Sequence, residues 1–336
     1  MSKDRKIGWG IIGCGKIAKK FAADLDLTTS TAKIAVASRD SERSREFASA
    51  YGFPVAYGSY EELVRDPDIE VVYIATPHSH HYEQTLLCLN HGKAVLCEKA
   101  FAVNLQQAKK MVALAKEKKL FLMEAVWTAF LPHFKKLQEL LKDKKAGELS
   151  SYLSNFGFRP DQPVAPRLFD PALAGGTLLD IGIYNVFMAM EVLGRPDQVD
   201  AVMIPTKEGV DQQLAVTFRY KDGRMAQMYS TFLADIPTIA HISGSKGRIE
   251  LTHRFYAPEA TINFYPGKTD SGEQVPFDRP KDGFGYQYEA QHVTDCLING
   301  VWESPVIPLE QSLVRMEVLG EIRKKAGIAY PADAIS

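Results

Sequence analysis

The sequence has almost no net charge. Its 40 lysines and arginines are balanced by 41 aspartates and glutamates, a formal −1 over 336 residues. Such a chain has no basic field to gather nucleic acid or anionic lipid, and its cations are spread rather than clustered. Cysteine is scarce too: Cys14, Cys88, Cys97 and Cys296 form no C-x-x-C pair, so reduced, buried thiols are expected. No apolar run approaches the ~20 residues that cross a bilayer, and internal repeats and low-complexity segments are absent. The start, "SKDRK" before "IGWGIIGCG", superficially copies a signal peptide. Its glycines and Lys16, Lys19 and Lys20 suit a turn and helix better than a cleavage site. An unprocessed cytoplasmic protein with no nucleic-acid or membrane partner is expected.

Hydrophobic residues make up 46% of the chain, enough for two domains with separate cores. From Lys6 to about Met123, "IGWGII", "KIAVAS", "VVYIAT", "AVLCE" and "LFLME" read as strands, with helical patterns between them at 41–51 and 104–118. Strand–helix alternation with continuously apolar strands predicts an α/β fold, a doubly wound parallel sheet covered on both faces. After a helical link at 130–142 the pattern changes to consecutive strands, "SYLSNFGF", "VDAVMIP", "QQLAVTFRY", "RMAQMYSTF", "TIAHISGS", "GRIELT" and "TINFYP". That predicts an α+β domain with a large, mainly antiparallel, open-faced sheet. Helical patterns at 177–193, 286–299 and 309–326 complete the chain. The expected division is residues 1–124 and 125–336, with the C-terminal helices able to pack back on the first domain.

The first strand ends in "GCGKIA", so Gly13, Gly15 and Ala18 fit the dinucleotide-binding (Rossmann) fingerprint, with Lys16 and Ile17 between the last two. The first glycine allows the tight turn, the second lets backbone approach a pyrophosphate, and the small third residue lets helix pack on strand. The helix N-terminus then offers free N–H groups to phosphate. NAD(P) is the expected cofactor. At the end of "AVASRD", where NAD enzymes place an acid on the ribose diol, stand Ser38 and Arg39. A hydroxyl and a guanidinium suit a 2′-phosphate, which favours NADP over NAD. Asp40 or Ser41 is a helix cap in the plainer reading, and Asp40 can also turn back to the ribose.

The loop "TPHSHH" falls at the carboxyl edge of the sheet, where such loops line the ligand crevice. Thr76, Pro77, His78 and His81 are expected on the nicotinamide side and His80 toward solvent. The histidines lack the helical spacing or cysteine partners of a zinc site, so no metal is expected. "VLCEKA" ends the next strand at the same edge and projects Glu98 and Lys99 toward the nicotinamide. A lysine there, desolvated or charging its neighbours, serves an oxidation in which a hydroxyl proton leaves as hydride departs. In "GGTLLDIGIYNV", Asp180 and Tyr184 are four apart in a helical pattern and share a face. A carboxylate and a phenol there grip a polyol and move its proton, or else are a helix-start acid and a core tyrosine. Trp127, with Phe130, falls where the chain leaves the first domain, as pocket wall or as core.

Together these stretches, with "YGSYEELVRDPDIEVVYIATPHSHH", "LFLMEAVWTAFLP" and "ESPVIPL", resemble the Gfo/Idh/MocA oxidoreductase family in order over nearly the whole chain, and especially its dimeric dihydrodiol dehydrogenase and NADP-dependent D-xylose dehydrogenase branches. The resemblance implies that Lys99 is the lysine of a Glu-Lys-Pro motif beside the nicotinamide, and that Tyr184 stands where many members have histidine and the dihydrodiol and glucose–fructose branches have tyrosine; Tyr184 is then the expected proton-transfer group, with Lys99 as the base itself the variant. It implies that Asp180 and Trp127 hold substrate, that Ser38 and Arg39 take the 2′-phosphate, and that members dimerise through the open sheet face. Ala100 departs from the motif's proline, and a non-proline cis peptide costs about 2.5–4 kcal/mol. The implied function is oxidation of a cyclic polyol, aldose or trans-dihydrodiol by hydride transfer. A non-catalytic sensor and a sugar–sugar oxidoreductase with tightly bound cofactor are the alternatives. Substrate choice is expected to depend on the loops "RPDQPVAPRLFDP" and "RPKDGFGY".

Overall fold

The computed structural model describes residues 5–161, 164–279 and 281–334. The chain divides into two compact units, Met1–Phe130 with Lys281–Leu313, and Leu131–Pro280 with Val314–Ser336.

In the first unit six strands form one parallel sheet: β1 (Ile7–Ile12), β2 (Thr31–Ala37), β3 (Val55–Tyr57), β4 (Val71–Ile74), β5 (Ala94–Glu98) and β6 (Leu122–Ala125), in the order β3-β2-β1-β4-β5-β6. Every residue of β1, β4 and β5 is buried, as continuous apolar strands require when helices cover both faces. The helices are α1 (Lys16–Asp24), α2 (Ser41–Tyr51), α3 (Tyr60–Arg65), α4 (His81–Asn90) and α5 (Leu105–Lys118). The strand order reverses between β1 and β4, and loops leaving the carboxyl ends there part to open a crevice. The short strand β3 escaped the sequence pattern, because three half-buried residues carry no periodicity.

The second unit begins with α6 (Pro132–Lys142) and holds an eight-stranded sheet: β7 (Leu149–Gly157), β8 (Gln198–Pro205), β9 (Asp211–Arg219), β10 (Met225–Thr231), β11 (Ile236–Gly244), β12 (Gly247–Thr252), β13 (Thr261–Pro266) and β14 (Glu273–Val275). The order is β14-β13-β12-β11-β7-β10-β9-β8. All pairings are antiparallel except β7 with β10, which run parallel. One face is covered by α7 (Ile183–Leu193), whose Asn185 accepts from Ser154 of β7 at 2.8 Å and donates to Ser230 of β10 at 3.1 Å. The helical pattern expected at 177–193 is not α-helical throughout, since Leu178–Gly182 form a π-helical turn before α7. This stretch also departs from the expectation on apolar runs. Pro171–Leu193 is long and apolar enough to pass as a membrane span, but 89% of its most apolar window is buried inside the fold, as in a core helix.

The helix α8 (Gln287–Ile298) belongs to the first unit, and α9 (Leu309–Ala326) starts there and continues in the second. α8 has no side-chain cap of its own. Asp24, at the end of α1 and 1% exposed, takes its place. Its carboxylate accepts the N–H groups of Phe284 at 2.9 Å, Tyr286 at 2.7 Å and Gln287 at 3.4 Å, which otherwise are orphan donors at a helix start.

Candidate active site

The glycine turn after β1 is built as the dinucleotide fingerprint requires. Gly13 has φ +94°, and a Cβ there would meet Thr76 Cγ2 at 2.9 Å and the Ala75 carbonyl at 3.0 Å, so neither conformation nor space admits a side chain. Gly15 precedes α1 and supplies no side-chain cap, which leaves the N–H groups around Lys16 and Ile17 facing outward from a helix start. Ala18 is fully buried against the sheet. This cradle fits a dinucleotide pyrophosphate, which suits bare N–H groups and the positive end of a helix.

At the end of β2, Asp40 is a helix cap. Its carboxylate accepts Glu42 N at 3.0 Å and Arg43 N at 3.2 Å, and Ser38 Oγ accepts Asp40 N at 3.2 Å. Arg43 escaped the sequence reading. It reaches back from α2 and donates to the Cys14 carbonyl inside the glycine turn at 3.0 Å, which holds its guanidinium against that turn. Burial raises the Tyr60 pKa, and Arg39, hydrogen-bonded to it, pulls it back. Arg39 also bears on His80, which is half-buried and not solvent-facing. Burial and then the Arg39 charge push the His80 pKa down.

His81 is fully buried, so it supports the crevice wall from behind instead of lining it. Its Nδ1 lies 2.8 Å from the Ala100 carbonyl and its Nε2 lies 2.9 Å from the Thr76 carbonyl. Burial drives its pKa to about 4, so at neutral pH the ring carries one N–H and donates to one of the two. The ring thereby packs between the Thr76 and Ala100 carbonyls and hydrogen-bonds one of them. Thr76 itself donates to Gln84 at 2.6 Å, Pro77 precedes the short turn of 78–80, and His78 is 8% exposed beside His81, ring centroids 5.8 Å apart.

At the end of β5 the Lys99–Ala100 peptide is cis. Glu98 is buried, accepts the Tyr73 hydroxyl and receives the Lys99 backbone N–H at 3.2 Å. Burial raises its pKa, while the Lys99 charge and the Tyr73 hydrogen bond pull it back. Tyr73 stacks on Phe21 at 3.7 Å. Glu289 of α8 was also missed in the sequence. It is wholly buried with neither carboxylate oxygen hydrogen-bonded, and burial, then the Glu98 charge, push its pKa well up. Trp127 is 6% exposed and lies flat on Tyr286, centroids 4.5 Å apart and planes 10° apart.

The second unit gathers the other predicted residues. Asp180 sits in the π-helical turn, and its carboxylate pairs with Arg167 at 2.6 Å. π-Turns inside helices recur at functional sites. Tyr184, in the first turn of α7, stacks on Tyr256 at 4.4 Å, and Tyr256 stacks on Phe156 at 4.6 Å. Both Asp180 and Tyr184 therefore face Tyr256, whose pKa burial raises, with Arg254 opposing and Asp180 adding. Arg167, Arg254 and Tyr256 lie in loops without periodicity, and nothing but their residue types marked them. Of the two loops expected to shape substrate choice, Gln162 and Pro163 of the first and Pro280 of the second lie outside the described residues, as do Ser2 to Asp4 of the basic start. Among the described residues no group of three or more His, Cys, Asp or Glu could hold a metal ion.

A glycine cradle at the switch point of a parallel sheet, with buried Glu98 and half-buried Lys99 at the carboxyl end of β5, defines a nicotinamide-dinucleotide oxidoreductase. Comparison with known proteins places it more narrowly. The model for the oxidoreductase family with an NAD-binding Rossmann fold, Gfo/Idh/MocA, matches residues 7–126, and that for the Gfo/Idh/MocA C-terminal domain matches residues 134–250. The chain belongs to the Gfo/Idh/MocA family. The trans-1,2-dihydrobenzene-1,2-diol dehydrogenase of Mus musculus is 39% identical over 337 residues, covering 97% of this chain and 98% of the relative. The Homo sapiens protein of that name is 39% identical over 330 residues with the same coverage. Among solved structures, KijD10, a 3-ketoreductase from Actinomadura kijaniata in complex with NADP and TDP-benzene, matches with TM-score 0.86 at 25% identity, covering 96% of this chain and 98% of that one. The aldose–aldose oxidoreductase from Caulobacter crescentus shares the fold at TM-score 0.86 and 23% identity, with the same coverage.

Proposed function

We propose that this protein is an NADP-dependent dehydrogenase that oxidises a CH–OH group of a cyclic substrate, a trans-dihydrodiol first and an aldose at its anomeric carbon second. The observation that carries this reading is the likeness to trans-1,2-dihydrobenzene-1,2-diol dehydrogenases across 97% of the chain. NADP is favoured over NAD because Asp40 turns its Oδ1 to capping α2, while Ser38, Arg39 and Arg43 offer a hydroxyl and two guanidinium groups to a 2′-phosphate. With its pyrophosphate on the glycine cradle, a bound dinucleotide would supply the hydride acceptor through its nicotinamide. Lys99 orients the substrate hydroxyl, and Glu98 holds the strand end that carries it. Tyr184 takes the hydroxyl proton as hydride leaves carbon, and Asp180, braced by Arg167, grips a neighbouring hydroxyl. Trp127, backed flat by Tyr286, gives the ring an apolar wall.

Initial rates of NADPH formation with trans-1,2-dihydrobenzene-1,2-diol, D-xylose and D-glucose test this, each repeated with NAD. Turnover of the diol with NADP supports the reading; no turnover of any of the three with either nucleotide sinks it. The reading includes a homodimer through the uncovered sheet face, where Leu153, Val202, Ile204 and Met225 are 43%, 64%, 52% and 41% exposed. Light scattering on Val202→Glu and Met225→Glu should show a monomer where the wild type shows a dimer; a monomeric wild type refutes the pairing.

A further inference from the structure

The loop after β12 turns on two consecutive non-glycine residues in the left-handed region, His253 at φ 53° and Arg254 at φ 66°. Such a conformation persists only where the surroundings enforce it, and it clusters at functional sites. Here three contacts enforce it. The Thr238 carbonyl of β11 accepts Arg254 N at 3.0 Å and Phe255 N at 3.4 Å, and the Phe255 carbonyl accepts His133 Nε2 of α6 at 2.9 Å. The turn aims a half-exposed guanidinium at one phenol. Arg254 Nε and Nη2 both donate to the Tyr256 hydroxyl, at 3.1 and 2.9 Å, and its Nη1 lies 3.3 Å from Glu259. Tyr256 in turn stacks on the rings of both Tyr184 and Phe156, at 4.4 and 4.6 Å, in a cluster that brings those two rings within 6.2 Å of each other.

We propose that Arg254 is the positioning residue for Tyr184: its forked hold on Tyr256 fixes the ring on which Tyr184 stacks and brings a fixed positive charge to the Tyr184 phenol. This rests on the reading of Tyr184 as the proton-transfer group. The carboxylates that face the stack are already matched, Asp180 by Arg167 and Glu259 by Arg254 itself. Arg254 is the cation of the loop that bears on both tyrosines, and its interaction with Tyr184 is favourable to the phenolate. An arginine suits the task better than lysine, because two donors in one plane fix the direction as well as the charge.

The test uses the purified full chain and four variants, Arg254→Met, Arg254→Lys, Tyr256→Phe and Tyr184→Phe, with melting temperatures recorded for each. The first readout is the pH profile of kcat for diol oxidation with NADP. Arg254→Met should lower kcat at neutral pH by about threefold to tenfold, moderated by solvent around a half-exposed cation, with recovery at higher pH as the rising limb moves up. Arg254→Lys should leave the limb in place while lowering kcat, since charge is kept and the fork is lost. The second readout needs no turnover. Tyrosinate absorbance of the wild type minus that of Tyr184→Phe isolates the Tyr184 titration, which Arg254→Met should shift upward. An unmoved titration in Arg254→Met overturns the proposal, even if that variant is less stable. If the wild type oxidises none of the substrates but the titration still shifts, the positioning role stands and the proposed function falls.

Discussion

Asp211→Asn removes a charge from beneath the helix that carries Asp180 and Tyr184 while keeping the oxygen that caps it. Asp211, at the start of β9, is fully buried, and its Oδ2 accepts the Thr177 hydroxyl and the Leu178 N–H, both at 2.7 Å. Its Oδ1 has no hydrogen-bond partner. Burial outweighs these bonds and lifts its pKa from 3.8 to about 6. The folded protein therefore keeps a proton that the unfolded chain has lost between about pH 4 and pH 6, so this group's contribution to stability falls as pH rises through that window. A shift of about 2 units corresponds to about 3 kcal/mol of penalty above pH 6. Asparagine keeps the acceptor, never ionises and leaves an amide N–H₂ where the unpartnered oxygen stood, at a cost of about 1 kcal/mol. The variant should then be more stable than wild type by about 1–2 kcal/mol at pH 8 and no more stable at pH 4. Asp211→Ala loses both accepted bonds and should cost about 2–4 kcal/mol at pH 4, less at pH 8. Urea unfolding followed by far-ultraviolet circular dichroism across this range measures all three proteins. If Asp211→Asn is destabilised at pH 8 and its stability follows the wild-type pH course, the buried-anion reasoning is wrong.

Arg39→Ala should weaken NADPH binding by about tenfold to a hundredfold, the worth of a charged hydrogen bond, and leave NADH nearly unchanged; calorimetric titration that finds equal losses would remove Arg39 from the 2′-phosphate. Asp24→Ala strips the acceptor from three N–H groups at the start of α8 and should cost about 3 kcal/mol, a fall of roughly 6–12 °C in melting temperature. A change below about 1 kcal/mol in Asp24→Ala would mean that solvent satisfies those donors equally well.

Where the chain repeats a local rule, the sequence is readable. β5 runs over Ala94–Glu98, α2 over Ser41–Tyr51 and β13 over Thr261–Pro266, as the apolar runs and helical periods predict. What escaped is set by partners distant in sequence. Asp24 caps a helix start about 260 residues later, and Asp211 caps one 33 residues earlier; neither leaves a pattern in its own neighbourhood. The parallel pairing joins β7 to β10, strands separated in the chain by α7, β8 and β9, and hairpin chemistry says nothing of it. The π-helical turn is hidden because its residues keep helical spacing, so the one-face argument for Asp180 and Tyr184 assumed an α-helix where Leu178–Gly182 form a π-helical turn and the α-helix begins only at Ile183. Arg254 and Tyr256 lie in "HRFYAPEA", a loop whose aromatic and basic content is the only trace of the stack it completes.

The central claim is that this chain carries hydride from a CH–OH carbon to a nicotinamide, and isotope transfer tests it most directly. With trans-1,2-dihydrobenzene-1,2-diol deuterated at its carbinol carbons and NADP, mass spectrometry should find one deuterium on the nicotinamide ring of the product nucleotide, and Lys99→Met should bind NADP but transfer none. Reduced nucleotide free of deuterium, or full transfer by Lys99→Met, would contradict the account.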